Sequence, residues 1–592
     1  MKRLIGVAIS FALATAQDQP QPTPVILISI DTLRADHLSA YGYRKIRTPN
    51  IDSFAQQGTI FTEVSSQIPL TLPSHTSLFT STYPFENGVE ENAEVIPSGA
   101  VTLASILRSH GYKTAAFLGS NMLDRRFGLD NGFEEYDSPF GAPAAAERAN
   151  SYSLRARRDG ALVLRAANAW LGSHRDQPVF AFVHLFDLHT PYTRTPATSS
   201  NQPEPARYDA ELEYLDQILG RFQQLLQQNG WWRKSLVVVL ADHGESLGDH
   251  GELSHGYFIY QSTLHVPLII HWPEGTPKQP ERVSQPAGLI DVASTVLDAL
   301  HFPAPPSFDG ISLLKGLKNT GAVFSESVYA RDAFRWAPLR SLRMGSWKYI
   351  DAPHAELFDL EKDPREQTNL AHTNAAQAAA LRSELARLTA RHARAQPAPV
   401  ADSSDATRKA LGSLGYLSGG SRKTELHPGP DPKDRLAEYQ MFDRALDAMY
   451  SRRLDAAIRG FRQVLALDRD NLPARGTLGD AYLRAGKPED AVREWTAALA
   501  SDPQYASVAL ALGEYYMSRQ EWAKARPYLQ QALAAVPGDS TARFALGVVE
   551  RNLGMFKEAL EHLRAACGEN PSSAACRDEL REAERGTKAV DH

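Results

Sequence analysis

The chain has 592 residues, of which 43% are hydrophobic and 22% are charged, and its formal net charge is −6. This length exceeds one ordinary hydrophobic core, so two or three domains are expected. The composition is that of a soluble globular protein. The slight acidity, together with the lack of a long basic run, argues against a nucleic-acid partner.

The first residues have the order of features of an export signal. Lys2 and Arg3 precede the apolar run Leu4–Ala14, and Ala14-Thr-Ala16 is the small-x-small pattern that signal peptidase cuts. The run is too short for a membrane anchor, and no later stretch reaches about 18 apolar residues. Residues 1–16 are therefore predicted to be a signal peptide, and the mature chain is expected to be periplasmic or secreted without a transmembrane anchor.

From residue 24 onward, continuous apolar runs alternate with helical patterns such as 102–110 and 206–228. Buried strands are predicted over Val25–Ile30, Thr114–Leu118, Val179–Leu185, Leu236–Leu240 and Val266–Ile270. This alternation predicts an α/β domain with a mostly parallel sheet that helices cover on both faces. Ligands of such sheets bind at the carboxyl ends of the strands.

Side chains that bind metals follow three of these strands. Asp31 follows the first, Asp187 and His189 follow the third, and Asp242 and His243 follow the fourth. A single Asp after a strand is ordinarily a turn or helix cap. Three strand ends that meet at one sheet edge indicate a metal site instead. Carboxylate and imidazole together suit zinc or manganese better than calcium.

The stretch 68–79, I-P-L-T-L-P-S-H-T-S-L-F, places Thr71 next to a helix start that Pro73 favours. Backbone N–H groups at a helix N terminus bind anions, and a neighbouring metal lowers the pKa of a hydroxyl. Thr71 is therefore a candidate nucleophile. Its alternative role is that of a simple helix cap.

The C-terminal part has an internal period. Three residue types recur at intervals of thirty-four residues, namely Gly479, Gly513 and Gly547, then Ala491, Ala525 and Ala559, then Pro503, Pro537 and Pro571. This pattern resembles the tetratricopeptide repeat over about 438–585 and predicts an all-α solenoid within 431–592. Such a solenoid either binds a peptide or protein partner or packs against the first domain as support, and both roles stay open.

Two further features accompany the repeats. Residues 396–430 are rich in Pro, Ser, Gly and charge and are predicted to be a linker, in which the apolar segment 410–417 docks on the first domain. Cys567 and Cys576 are the only cysteines; in an oxidising compartment they form a disulfide between two helices or remain a buried free pair.

The first domain resembles the sulfatase branch of the alkaline phosphatase superfamily over about 24–395. The resemblance rests on ordered motifs, which are Asp31-Thr-Leu-Arg-Ala-Asp-His-Leu-Ser-Ala-Tyr-Gly-Tyr43, Thr48-Pro-Asn-Ile-Asp52, Leu72-Pro-Ser-His75, Asp242-His-Gly244, Val266-Pro-Leu-Ile-Ile270, Trp347-Lys-Tyr-Ile350 and Glu356-Leu-Phe-Asp-Leu-Glu-Lys-Asp-Pro364. It implies a metal-dependent hydrolase or transferase of sulfate or phosphate esters.

Four positions depart from the sulfatase pattern. At the position of Thr71 sulfatases carry a Cys or Ser that is converted to formylglycine, and threonine cannot form that aldehyde. They usually have Arg where His75 stands, a second Asp where Thr32 stands and a Lys where His255 stands. The exchange of carboxylate for imidazole shifts the site from calcium toward a zinc-like ion.

The segments Asp242-His-Gly-Glu-Ser-Leu-Gly248 and Ser254-His-Gly256 are similar to those of phosphoethanolamine transferases, in which a threonine is the nucleophile. The resemblance implies the sites listed here: a primary metal site of Asp31, Thr71, Asp242 and His243; catalytic roles for Thr71, His75 and His255; substrate contacts from His75, His189 and His255; and an optional second metal at Asp187, His189 and His255. His184, His250 and His265 are interpreted as structural.

The favoured reaction is hydrolysis of a phosphate ester through a phospho-threonine at Thr71, with zinc, or else manganese or calcium, in the site. Sulfate-ester hydrolysis without formylglycine is the first alternative. A ligand-binding pseudoenzyme whose repeats recruit a partner is the second. Transfer to an envelope acceptor is disfavoured, since the relatives with that role carry membrane helices.

Overall fold

The computed structural model of the chain describes residues 22–92, 94–140, 157–192, 194, 204–315, 321–392, 429–568 and 574–590. The predicted signal peptide and the docking segment 410–417 lie outside these residues. Nowhere in the described ranges is there a helix with the length and apolar character that crossing a bilayer requires.

The first domain is built on a nine-stranded mixed sheet. Its strands are β1 (Val25–Ile30), β2 (Thr59–Ser65), β3 (Lys113–Phe117), β4 (Glu135–Asp137), β5 (Val179–Leu185), β6 (Leu236–Leu240), β7 (His265–His271), β8 (Arg282–Val283) and β9 (Ala287–Gly288). Strands run in the order β4-β3-β5-β1-β6-β7-β2-β8, with β9 also paired to β2. The block from β4 to β6 is parallel, whereas β7 is antiparallel to both β6 and β2. The predicted, mostly parallel sheet is confirmed.

Helices cover both faces of this sheet. They are α1 (Pro49–Gln56), α2 (Thr71–Thr80), α3 (Pro84–Asn87), α4 (Leu103–Ser109), α5 (Gly160–Ser173), α6 (Glu204–Gln228), α7 (Trp231–Lys234), α8 (Gln261–Leu264), α9 (Asp291–Ala299) and α10 (Tyr329–Phe334). All ten residues of α2 are buried, so this helix is part of the core and not a surface element. It begins at Thr71, two residues before Pro73.

A second, four-stranded antiparallel sheet follows. It consists of β10 (Ala322–Ser327), β11 (Leu339–Met344), β12 (Trp347–Asp351) and β13 (Glu356–Asp359), and helix α11 (Ala375–Arg391) packs against it. The buried Lys348 of β12 forms an ion pair of 2.7 Å with Glu366 and donates to the carbonyl of Ile259 at 2.6 Å. The small sheet thereby holds the segment that leaves the main sheet after β6.

The C-terminal part is a stack of antiparallel helices, as the period predicts. They are α12 (Leu436–Tyr450), α13 (Leu454–Leu467), α14 (Leu472–Arg484), α15 (Pro488–Ser501), α16 (Ala506–Ser518), α17 (Trp522–Ala535), α18 (Ser540–Asn552), α19 (Phe556–Gly568) and α20 (Ala574–Val590). The repeated glycines are contact points: a Cβ on Gly479 would lie 2.3 Å from the Trp495 indole, and one on Gly513 would lie 2.5 Å from Leu529. Cys567 and Cys576 form a disulfide.

The first repeat helix packs on the first domain. Tyr439 stacks on Tyr257 with ring centroids 4.1 Å apart, and Gln440 donates to the carbonyl of Gly251 at 2.6 Å. Phe442 packs edge to face on Phe334 at 5.4 Å. One apolar cluster runs without interruption from this junction into the repeats. The supporting role of the repeats therefore has a structural basis, and binding of a partner by the repeats stays a prediction.

The junction makes a stability prediction. Phe442 is 2% exposed, so Phe442→Ala is expected to lower the free energy of unfolding by about 3–5 kcal/mol through lost burial and a residual cavity. Chemical denaturation followed by tryptophan fluorescence measures this loss. The control is Leu467→Ala in the same repeat, which is 55% exposed and should stay within about 0.5 kcal/mol. Equal effects of the two substitutions would contradict a buried junction.

Candidate active site and metal centre

The order of the central strands brings the predicted residues to one place. Strand β1 lies between β5 and β6, so Asp31 emerges between the ends of the two strands that precede His189 and Asp242. Its backbone N–H donates to the carbonyl of Leu185 at 2.9 Å. Helix α2 begins on the same edge and delivers Thr71.

Thr71 is fully buried at the first position of α2, after an extended Leu70. Its Oγ1 donates to Asp31 Oδ2 at 3.2 Å and lies 3.4 Å from His243 Nε2. The side chain does not cap its own helix. The hydroxyl is therefore directed at the strand ends and not at the backbone.

Two fully buried carboxylates, Asp31 and Asp242, lie on the same side of the sheet. Asp242 Oδ1 accepts from the N–H groups of His243 at 2.9 Å and Thr32 at 3.4 Å. Asp31 Oδ1 and Asp242 Oδ2 have no hydrogen-bond partner in the described chain. Burial of such oxygens is costly unless a cation or proton compensates their charge. This pair of unpaired oxygens fits a divalent metal ion.

The pKa values of the two carboxyl groups move in opposite directions. Burial and the nearby charge of Asp31 raise the pKa of Asp242 well above its usual range. Burial alone would also raise the pKa of Asp31, but contact with His184 and the charges of His243 and His189 lower it below its usual range. Two adjacent carboxylates that are both buried repel each other unless a cation or a proton compensates their negative charge.

His243 has its ring fixed for metal binding. Its Nδ1 donates to the carbonyl of Gly244 at 3.0 Å, because a carbonyl can only accept. The lone pair of Nε2 therefore faces Thr71 and the carboxylate of Asp242, whose Oδ2 lies 3.5 Å away. Asp31, Asp242 and His243 each offer a ligand atom within 4.8 Å of the others. Thr71 completes the predicted group of four.

His189 and His255 form a facing pair beside this group. His189 Nδ1 donates to the carbonyl of Thr190 at 2.7 Å, and His255 Nδ1 donates to that of Pro69 at 3.0 Å. Their Nε2 atoms lie 3.3 Å apart, so the pair can share a cation or a proton. Burial lowers the pKa of His189 to about 4 and that of His255 well below its usual value.

Asp187, which the second-metal hypothesis groups with these histidines, has other contacts. Its carboxylate accepts from the N–H of Gly160 at 3.2 Å and from Arg194 at 3.4 Å. Among the described residues, the sets with metal-ligand spacing do not include Asp187. Strand β5 ends before Asp187, and in the following turn it and His189 contact different neighbours.

His75, which is predicted to act at the substrate, has both ring nitrogens in contact with residues of the core. Its Nδ1 donates to the carbonyl of Thr71 at 2.7 Å, and its Nε2 accepts from the hydroxyl of Ser29 at 2.9 Å. Both ring nitrogens are thereby engaged inside the core. His75 fixes the first turn of α2 and with it the direction of the Thr71 side chain, so the contacts support a positioning role.

Two further residues lie near the site: His184, which is interpreted as structural from the sequence, and Arg157, which has no predicted role. His184, on β5, has its Nε2 3.4 Å from Asp31 Oδ2. Arg157 donates to the backbone carbonyls of His189 and Thr190, and to that of Pro191 at 2.9 Å, which fixes the turn that carries His189. The alternation of strand β5 could have indicated His184, whereas Arg157 lies in an arginine-rich stretch without a distinguishing pattern.

The other two histidines interpreted as structural lie outside the group. His250 Nε2 donates to the carbonyl of Arg365 at 3.0 Å, and its ring stacks on Tyr260. His265 Nε2 donates to the carbonyl of Thr62 at 2.7 Å. These contacts agree with structural roles.

Comparison with known proteins finds family likeness along both parts of the chain. Residues 23–302 match the family model described as sulfatase, and residues 248–392 match that of the N-sulphoglucosamine sulphohydrolase C-terminal region. The tetratricopeptide repeat matches over 442–506, 477–540 and 510–574.

Similar proteins include sulfatases. Human arylsulfatase D is 23% identical over 409 residues, covering 50% of this chain and 69% of that protein. Choline-sulfatase of Rhizobium meliloti is 25% identical over 437 residues, covering 59% and 82%. Among solved structures, the phosphonate monoester hydrolase of Silicibacter pomeroyi has a TM-score of 0.52 at 21% identity, covering 63% of this chain and 96% of that one. This structural likeness shows the fold alone.

The segment that carries His255 makes a pH prediction through Glu252. This buried carboxyl group accepts from the N–H groups of Tyr257 at 2.8 Å and Phe258 at 3.3 Å, and burial raises its pKa from 4.5 to about 8. Between these values the folded state binds a proton that the unfolded state releases, so this contribution to stability is full below about pH 4.5 and is lost as the pH rises through 8.

Glu252→Gln is therefore expected to reduce the decline of the unfolding midpoint between about pH 5 and 8. Thermal unfolding at intervals across this range measures it, with exposed Glu361→Gln as the matched control. Parallel pH profiles for the wild type and the Glu252 variant would show that this carboxyl group does not titrate as described.

Proposed function

Because the chain carries a domain of the metal-dependent sulfatase family followed by tetratricopeptide repeats, we propose that it is an exported phosphate-ester hydrolase with Thr71 as its nucleophile. The observation that carries the proposal is the Thr71 hydroxyl at the N terminus of a buried helix, 3.2 Å from Asp31 and 3.4 Å from His243. The export signal in residues 1–16 supports a periplasmic or secreted location.

The residue set supports phosphate over sulfate esters as the substrate. Threonine cannot become the formylglycine that sulfatases use, whereas a threonine alkoxide is competent to attack phosphorus. Asp31, Asp242 and His243 would hold the divalent cation, with Thr71 beside them. That cation, when bound, lowers the pKa of the hydroxyl and offsets negative charge on the phosphoryl oxygens.

The reaction then has two displacements. Thr71 gives its proton to solvent and its Oγ1 forms a bond to phosphorus, while the bond between phosphorus and the departing alkoxide breaks in line. Water next attacks the phosphorus of phospho-threonine, the bond to Oγ1 breaks, one proton of the water returns to Oγ1, and phosphate leaves. The Nε2 atoms of His189 and His255, 3.3 Å apart, can hold one shared proton, and a proton held there would pass to the departing oxygen.

Sulfate-ester hydrolysis by the same site is the second candidate, favoured by the match of residues 23–302 to the sulfatases. A pseudoenzyme with a recruiting repeat domain is the third. Purified mature protein, assayed with aryl phosphodiester, phosphomonoester and sulfate ester in the presence of Zn²⁺ or Mn²⁺, separates the three. Dominant turnover of the sulfate ester, or of no ester, would contradict the proposal.

Thr71→Ala is expected to lower kcat for the phosphoester by about 10³-fold or more, since it removes the attacking oxygen. Thr71→Ser should keep measurable turnover. The control is Thr76→Ala one turn later in the same buried helix, where Oγ1 donates to the carbonyl of Leu72 at 2.8 Å and faces no reacting group. Turnover by the Thr71→Ala enzyme at the wild-type rate would exclude this nucleophile.

Removal of the metal with a chelator is expected to abolish turnover and to lower the unfolding midpoint, because it leaves the carboxylates of Asp31 and Asp242 uncompensated. Added Zn²⁺ should restore both. In the control variant with Asp31→Asn and Asp242→Asn, the chelator should leave the midpoint unchanged. A chelator that has no effect on the wild-type midpoint or turnover would argue against a cation in this site.

A further inference from the structure

His184 is a buried imidazole in the middle of the main sheet. It is the penultimate residue of β5, opposite Ser29 of β1, and it is 0% exposed. Neither of its ring nitrogens makes a hydrogen bond within the described part of the chain. An unsatisfied polar group in a protein interior is destabilising, so its presence calls for a ligand or a function.

The other buried histidines of this domain show what a satisfied imidazole looks like here. Each ring nitrogen of His271 has a backbone carbonyl oxygen at 2.9 Å, Nδ1 that of Gln57 and Nε2 that of Trp232. His75 is bonded at both nitrogens to Thr71 and Ser29. Against this background His184 is the exception, although it is as deeply buried as they are.

The ring of His184 is directed at the candidate metal centre. Its Nε2 lies 3.4 Å from Asp31 Oδ2, and a ring nitrogen lies within 4.8 Å of a carboxylate oxygen of Asp242. Asp31 Oδ1 and Asp242 Oδ2 are themselves without hydrogen-bond partners among the described residues. Asp31, Asp242 and His243 form one group with metal-ligand spacing, and His184, His75 and Asp242 form a second. Asp242 belongs to both groups, so His184 lies directly beside the candidate metal centre.

We propose that His184 is a ligand of the divalent cation that Asp31, Asp242 and His243 hold. This inference rests on the proposed function, because it adds a residue to the same centre. The resulting set has two carboxylates and two imidazoles. Such a set prefers zinc or a neighbouring transition metal to calcium, which takes six to eight oxygen ligands. His184 thereby determines which ion the enzyme uses.

The test measures metal binding and not turnover. The metal-free protein is titrated with Zn²⁺ and, separately, with Ca²⁺ by calorimetry, for the wild type, His184→Gln and the matched control His271→Gln. His184→Gln is expected to weaken Zn²⁺ binding by about 10–100-fold or more. Ca²⁺ binding should change little, and the control variant should bind Zn²⁺ as the wild type does. Unchanged Zn²⁺ affinity in His184→Gln would overturn the proposal.

A second measurement uses the wild-type protein and so does not depend on how well a variant folds. X-ray absorption of the zinc-loaded enzyme counts the imidazole ligands. Two imidazoles are expected with His184 bound, and a count of one would overturn the proposal. If Thr71 were not the nucleophile, the ester assays would show it and the imidazole count would not change. The proposals for Thr71 and for His184 can therefore be contradicted independently.

Discussion

The active-site region depends on one constraint, the burial of two carboxylates at neighbouring strand ends. Asp31 and Asp242 are fully buried, each keeps an oxygen without a hydrogen-bond partner among the described residues, and each carboxylate has a histidine within 3.5 Å. Like charges in a dry interior demand a positive partner. A divalent cation would meet this demand, and the Thr71 hydroxyl, the proposed nucleophile, lies 3.2 Å from Asp31 and 3.4 Å from His243. In the proposed function, stability and chemistry therefore have the same requirement.

The rest of the fold keeps the parts of this centre in register. His75 fixes the start of α2, and Arg157 holds the turn of His189 through its backbone carbonyls. The segment that carries His255 is held by Lys348 from the small sheet and by Tyr439 from the repeats. These supports come from four separate parts of the chain. Because the candidate ligands Asp31, Asp242 and His243 lie on turns after strands, and Thr71 at the start of a helix, their precise placement depends on this packing.

Local patterns of the sequence predict the parallel core, the helical repeats and the meeting of Thr71, Asp31, Asp242 and His243. Strand ends and turns can be recognised from adjacent residues, and the order of strands then brings them together. Side-chain direction cannot be read in this way. The direction of the His75 ring, toward the substrate or the core, depends on contacts between β1 and α2, which are distant along the chain. The role of His184, as a structural residue or a metal ligand, depends in the same way on the contact between β5 and the turn after β1. The contact of Asp187 with the N–H of Gly160 depends in the same way on a residue distant along the chain.

The contact of α12 with the catalytic domain divides the solenoid into two unequal parts. The first helical hairpin packs on the segment that carries His255, through Tyr439 on Tyr257 and Gln440 on Gly251. The second hairpin also reaches the first domain, through an ion pair of Asp502 with Arg335. The thirty-four-residue period allows the number of later hairpins to change in whole steps. Repeats at the C-terminal end can therefore be gained or lost during evolution, and the surface that they offer to a partner can change, without altering the residues of the candidate active site.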